Sequence, residues 1–246
     1  MSTNFVVINS AYRTSDSRST SDFTYNIGSS IETDYVTIKS VSIPHIEYNI
    51  TQTKNKLRIS SGGVDYDLTI PIGQYNVAQL ITELQTQIIS AVGGTCFIII
   101  DPVTQKLNFQ ASAGIKISTD KTVSSLSKYI GIFYSTGFYP VADSVNFDAQ
   151  GLPVLQGPNN YYLASNVLSQ GFASILTSGQ RVPIIMPVPV TVEYGQIQQY
   201  ESNDAELNTK QFSRPQNIQN IDIKIYDDDL NVVDLHGQDI EVILKI

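Results

Sequence analysis

Hydrophobic residues along this chain recur mainly at every second position, the spacing of strands whose alternate side chains face a core. Residues 5–9 (FVVIN) and 23–27 (FTYNI) read as strands around a loop crowded with Ser and Thr. In 35–46, Val36, Ile38, Val41, Ile43 and Ile46 keep the two-residue period with one slip after Ile38. The slip predicts a bulge near Lys39 and Ser40, and Pro44 limits the strand's end to an edge or a kink. LRISS at 57–61, Gly62-Gly63 and the run 64–72 predict a hairpin, because paired glycines accept the positive φ angles of a tight turn.

The period then changes. Val77, Leu80, Ile81, Leu84, Ile88 and Ile89 recur at three and four residues, Asn76 and Gln79 form a capping-box pattern, and Gly93-Gly94 follows, which predicts a helix. A second hairpin is expected from 95–100 and 106–111 around the turn DPVTQ, and a short second helix at about 124–130 (SSLSKYI). The resulting β-β-α-β-β-α order over 57–133 segregates the helices into an α+β module inserted in a β domain made of 1–56 and 134–246. Residues 134–160 lack a sustained period and read as a long loop, a place for a partner contact. Strand patterns resume at 161–165, 182–195 and 221–227. The alternation on both sides of 227–231 predicts a terminal hairpin with an acidic turn.

Composition changes the picture by what is scarce. Only 15% of the residues are charged, so much of the exterior has to be uncharged Ser, Thr, Asn and Gln, a surface that neighbours could cover. A net charge of −8 argues against phosphate neutralisation and thus against direct sequence-specific nucleic-acid binding. Arg13 and Arg18 make the Ser/Thr-rich arm the only basic stretch, and it reads as a solvated or partner-docked tail. The N-terminus lacks the pattern of a signal peptide, and no stretch approaches the roughly 20 apolar residues of a membrane span. A soluble protein made in the cytosol is expected.

Candidate chemistry is thin. The single cysteine, Cys96, sits in the apolar run CFIII and reads as a small buried hydrophobe, not a reactive thiol. His45 and His236 are the only histidines, each at a strand end, and read as turn or surface residues. With Cys96 they are too few and too scattered for a zinc site or a hydrolytic triad. Asp227, Asp228 and Asp229 lack the spaced ligands of a calcium loop, and no glycine-rich phosphate loop occurs. Asn49-Ile50-Thr51 fits the glycosylation pattern but reads as strand sequence. No enzyme activity, metal or cofactor is expected.

Taken in order, three segments resemble the penton or minor capsid proteins of virophages, polinton-like viruses and related large double-stranded DNA viruses. These are INSAYRTSDSRSTSDFTYNI with VTIKSVSIPHIEYNI, where Tyr48-Asn49 closes the strand; LTIPIGQYNVAQLITELQTQI; and IDIKIYDDDLNVVDLHGQDIEVILKI. YIGIF departs from the Leu-Gly-Phe that such modules often show. The resemblance implies a mainly β fold, a single jelly-roll β-sandwich with an inserted small α+β module. It also implies a virion protein, synthesised in the host cytoplasm or viral factory. Five copies would close an icosahedral vertex as a homopentamer against the major capsid protein, without catalysis.

Partner contacts are expected from Arg13 and Arg18 in the arm and from Phe133, Tyr134, Phe138 and Tyr139 in the aromatic loop FYSTGFY. Two other readings stay open: a minor capsid protein beneath or between major capsomers, and a carbohydrate- or receptor-binding β-sandwich that uses those aromatic rings.

Overall fold

The computed structural model describes residues 4–133, 137–169, 174–175, 181–201 and 208–246. They form two compact units, residues 1–47 with 158–246, and residues 48–157.

The first unit is built on two long strands. β1 (Phe5–Asn9) is followed by one 3-10 turn and by the 23-residue β2 (Asp22–Pro44). The second unit supplies β3 (Lys56–Ser61), β4 (Val64–Thr69), α1 (Val77–Val92), β5 (Cys96–Ile100), β6 (Leu107–Ser118) and β7 (Phe138–Asp148). The chain returns with β8 (Asn160–Ala164), the short pair β9 (Ser174–Ile175) and β10 (Arg181–Val182), β11 (Ile184–Pro189), β12 (Ile197–Glu201), β13 (Thr209–Tyr226) and β14 (Glu241–Lys245).

Strand β2 is shared between two layers. Its C-terminal half lies between β14 and β12, with β1 beyond β14, whereas its N-terminal half pairs with β13, followed by β8 and β11. Each layer turns its alternate apolar residues to one core: Ile8, Val41, Ile43, Val242 and Leu244 from the first, Phe23, Ile221, Ile223, Leu163 and Val188 from the second. This is a jelly-roll β-sandwich. Lys39 is the extra residue where the register against β14 shifts between Ile38 and Ser40, which is where the break in the two-residue period predicts a bulge.

The chain's last two strands correct an expectation. β13 and β14 do not form a hairpin, because β2 lies between them. After β13 the chain makes a single bridge, Tyr226 to Val232, around a turn in which the Asp227 carboxylate accepts from the backbone N–H of Asp229 and Asn231. It then crosses to pair β14 with β1 and β2. Alternation specifies which side of a strand is buried, not which strand lies beside it.

In the second unit α1 covers one face of a five-stranded antiparallel sheet. Leu80, Leu84 and Ile88 meet Leu57, Ile59, Ile98, Phe109 and Ile117 in its core, and Phe109 stacks on Phe147 at 5.0 Å. The helix starts as the sequence predicts: Asn76 accepts from the Gln79 N–H, and the Gln79 side chain accepts from the Asn76 N–H. Gly62 and Gly63 turn β3 into β4 at φ of 58° and 80°. The expected second helix is shorter, a single 3-10 turn, Ser127–Ile130, stopped by Gly131 at φ 82°. A Cβ at Gly131 would lie 2.2 Å from the Gly151 carbonyl, so only glycine allows that approach.

Residues 134–160, read as a loop, hold β7, which pairs with β6. Pro140, Asp143, Ser144 and Asn146 interrupt its apolar alternation. The strand is fixed by its neighbour, with two register shifts along the pair.

Candidate assembly surfaces

The arm is folded, not loose. Thr14 N–H donates to the Thr24 carbonyl, and the N–H groups of Arg18 and Ser19 both donate to the Asp22 carbonyl, laying residues 14–19 along the start of β2. Arg13 is tied to its own unit: its guanidinium donates to the Ser10 carbonyl at 2.9 Å and lies 3.9 Å from Asp239. Arg18 reaches out, with 82% of its side chain exposed and Asp22 at 3.6 Å. Of the two arginines, Arg18 alone presents most of its side chain to solvent.

The expected aromatic loop is divided. Tyr134 lies outside the described residues. Tyr139 belongs to β7, half-buried against the core of the second unit, edge-on to Phe147 at 6.0 Å and donating through its hydroxyl to the Asp148 carbonyl. The ring of Phe138 receives the Lys116 ammonium at 5.3 Å, and Lys116 also lies 3.4 Å from Asp143. Phe133 stands over Gly151, which has no side chain to obstruct the ring. Of the described rings, Phe133, Phe138 and Tyr139 each pack within the second unit, against Gly151, the Lys116 ammonium and Phe147 respectively.

Other exposed side chains were not singled out by sequence reasoning. On β1, an edge strand, Phe5 is 61% and Val7 49% exposed, while Val6 and Ile8 face the core. On β5, also an edge, Phe97 is 59% and Ile99 49% exposed. Apolar residues at alternate positions were legible as strands, and the apolar residue on the polar side of the alternation was the signal for these exposed side chains. Neither strand carries a Lys, Pro or bulge, the devices that normally keep an edge from pairing with another chain.

Chemistry stays sparse. Cys96 is buried, and removal from water pushes its thiol up to about 11, away from a reactive thiolate. No group of three or more His, Cys, Asp or Glu side chains is placed to hold a metal among the described residues. Among them, too, no helix is long and apolar enough to cross a membrane. His236 is on an exposed turn, but His45 is not a surface residue: it lies among Glu47, Tyr161 and Tyr194 at the end of β2, where Pro44 stops the strand and its ring turns inward. Asn49, in the glycosylation pattern, is buried, and its amide donates to the carbonyls of Tyr75 and Leu155.

The described residues thus form a jelly-roll sandwich and an inserted α+β module, with apolar side chains exposed on β1 and β5. No family model matches the sequence, and no curated protein matches it. Among solved structures, the chain is similar in fold to the penton protein of mavirus, with a TM-score of 0.53 at 8% identity, over 100% of this chain and 99% of that one. A chain of the Sputnik virophage aligns with a TM-score of 0.46 at 14% identity, over 99% of this chain and 97% of that one.

Proposed function

We propose that this chain is a structural virion protein, the penton subunit that closes icosahedral vertices as a homopentamer seated against a major capsid protein. The observation that carries the reading is the extent of the shared fold: the likeness to the mavirus penton protein runs over 100% of this chain and 99% of that one, sandwich and inserted module together. The low charge and the bare apolar edges support it, because a subunit enclosed by neighbours has little use for a charged exterior. The role is non-enzymatic and uses no cofactor.

In this reading a ring of copies closes through a heterologous contact repeated around one axis. The β1 edge, with Phe5 and Val7, carries the contact between copies, since an unpaired, uncharged strand edge is a template for another chain. Arg18 on the folded arm, together with the aromatic residues Phe133, Tyr134, Phe138 and Tyr139, supplies contacts to the surrounding capsid. Light scattering of the purified full chain across a concentration series tests the ring. The mass of five chains is expected. A stable closed assembly of another count overturns the proposal, and a chain that stays single at every concentration overturns a ring that closes by itself.

A further inference from the structure

Where β2 ends, ionisable side chains lie out of the solvent. The Glu47 carboxylate is 8% exposed, and its Oε2 accepts a hydrogen bond from the Tyr161 hydroxyl at 2.5 Å. Its Oε1 is buried without a hydrogen-bond partner and faces His45 Nε2 at 3.7 Å. The other imidazole nitrogen, Nδ1, is 2.9 Å from the Val192 carbonyl.

That carbonyl decides the state of the ring. A carbonyl oxygen only accepts, so Nδ1 carries a proton. A neutral imidazole then presents a lone pair at Nε2 to the lone pairs of Glu47 Oε1, and two buried acceptors facing each other are unfavourable. One added proton, on Nε2 or on Oε1, turns the opposition into attraction. Burial favours holding it, since removal from water raises the Glu47 carboxyl above its ordinary range, against the Tyr161 hydrogen bond and the nearby His45.

The same histidine fastens a turn. His45 N–H donates to the Gln196 carbonyl at 2.8 Å, and Gly195 N–H donates to the His45 carbonyl at 2.7 Å. Tyr194 meets the imidazole edge-on with ring centres 6.2 Å apart, and Tyr161 does so from β8 at 6.3 Å. The remaining ionisable group on the turn, Glu193, is exposed.

We propose that His45 and Glu47 form a single proton-binding site that latches the turn between β11 and β12 onto the end of β2, closed while the proton is held and loosened when it is lost. The sign follows from the unfolded chain, where histidine releases its proton near pH 6.5. Below about that pH both states hold the proton and the latch contributes fully; as pH rises the folded site keeps a proton that the unfolded chain has released, so its contribution falls. The inference does not depend on the penton reading, because it concerns the fold of one chain.

The test is amide hydrogen exchange of His45 and Gly195 in the full chain, with the ring nitrogen shifts of His45 followed by NMR over the same pH series. Protection of both amides, corrected for the intrinsic pH dependence of exchange, is expected to fall about tenfold for each pH unit over which the folded site outlasts the unfolded histidine. Glu47→Gln offers an amide N–H to Nε2 without titrating, and is expected to hold the turn at constant protection across the series. Unchanged wild-type pH dependence in that variant overturns the proposal, as do ring shifts of a neutral Nε2–H tautomer. Should Glu47→Gln not fold, Tyr161→Phe, which strips the carboxylate of its donor, is expected to move the loss of protection to higher pH; an unmoved midpoint overturns the latch.

Discussion

The two units of this chain are built on opposite principles. In the second, the hairpins are local, β3 turning directly into β4 and β5 into β6 with α1 between them, and a longer-range pairing, β3 with β6, joins the two. In the first, β1 pairs with β14 from the other end of the chain, and β2 pairs with β12, β13 and β14, all beyond the second unit in sequence. Local pairing costs little loop entropy, while pairing across the chain costs more and forms slowly. The module is therefore the unit whose fold its own sequence specifies most directly. The sandwich depends on strands that meet only after the chain has returned.

Substitutions can break or sharpen this contrast. The largest effect is expected from Phe109→Ala, which empties a fully buried site stacked on Phe147 and costs about 3–5 kcal/mol by urea unfolding. Amide protection in β13 and β14 is expected to survive in that variant, and its loss would show that the sandwich leans on the module. Next comes Asn49→Ala. Asn49 accepts from the Tyr75 N–H and donates to the carbonyls of Tyr75 and Leu155, joining the start of the module to its return. Leaving such buried groups unpaired costs about 1–3 kcal/mol each before relaxation, so a loss of several kcal/mol in the same assay is expected.

Asn76→Ala removes the helix cap and is expected to cost about 1 kcal/mol, visible as earlier exchange in the first turn of α1. In the sandwich, burial opposes ionisation of Asp222, but hydrogen bonds from the backbone and side chains of Asn166, Val167 and Ser165 prevail and hold its carboxyl below the usual range. Its stabilisation is present above about pH 4 and is lost as pH falls through the lowered value. Asp222→Asn is expected to flatten that part of the acid-unfolding curve. The smallest effect on stability, within about 0.5 kcal/mol, is expected from Val7→Lys on the exposed side of β1. That variant is nonetheless expected to abolish the proposed ring, with light scattering returning the mass of a single chain.

The contrast also governs what the sequence disclosed. The module's hairpin at Gly62-Gly63, the helix capped by Asn76 and Gln79, and the bulge at Lys39 were legible, because each is set by residues within one or two turns of one another. The pairing of β14 was not, since Val242 and Leu244 announce a buried face and say nothing of β1 and β2 as neighbours. β7 was missed because Pro140 and Asp143 mask its alternation and its partner β6 supplies the order. Among candidate contact residues, Arg18 stands exposed as the arm's composition suggested, whereas Arg13 and Tyr139 are engaged within their own units. Neither the apolar exposure of Phe5 and Phe97 nor the buried pairing of His45 with Glu47 could be read before the faces of the strands were known.

The central claim, a subunit that closes capsid vertices, is tested most directly by the copy number of this chain in purified virions, counted by quantitative mass spectrometry against the major capsid protein. Five copies for each vertex are expected. Particles that lack the chain, or that carry it in large excess over five per vertex, would contradict the account.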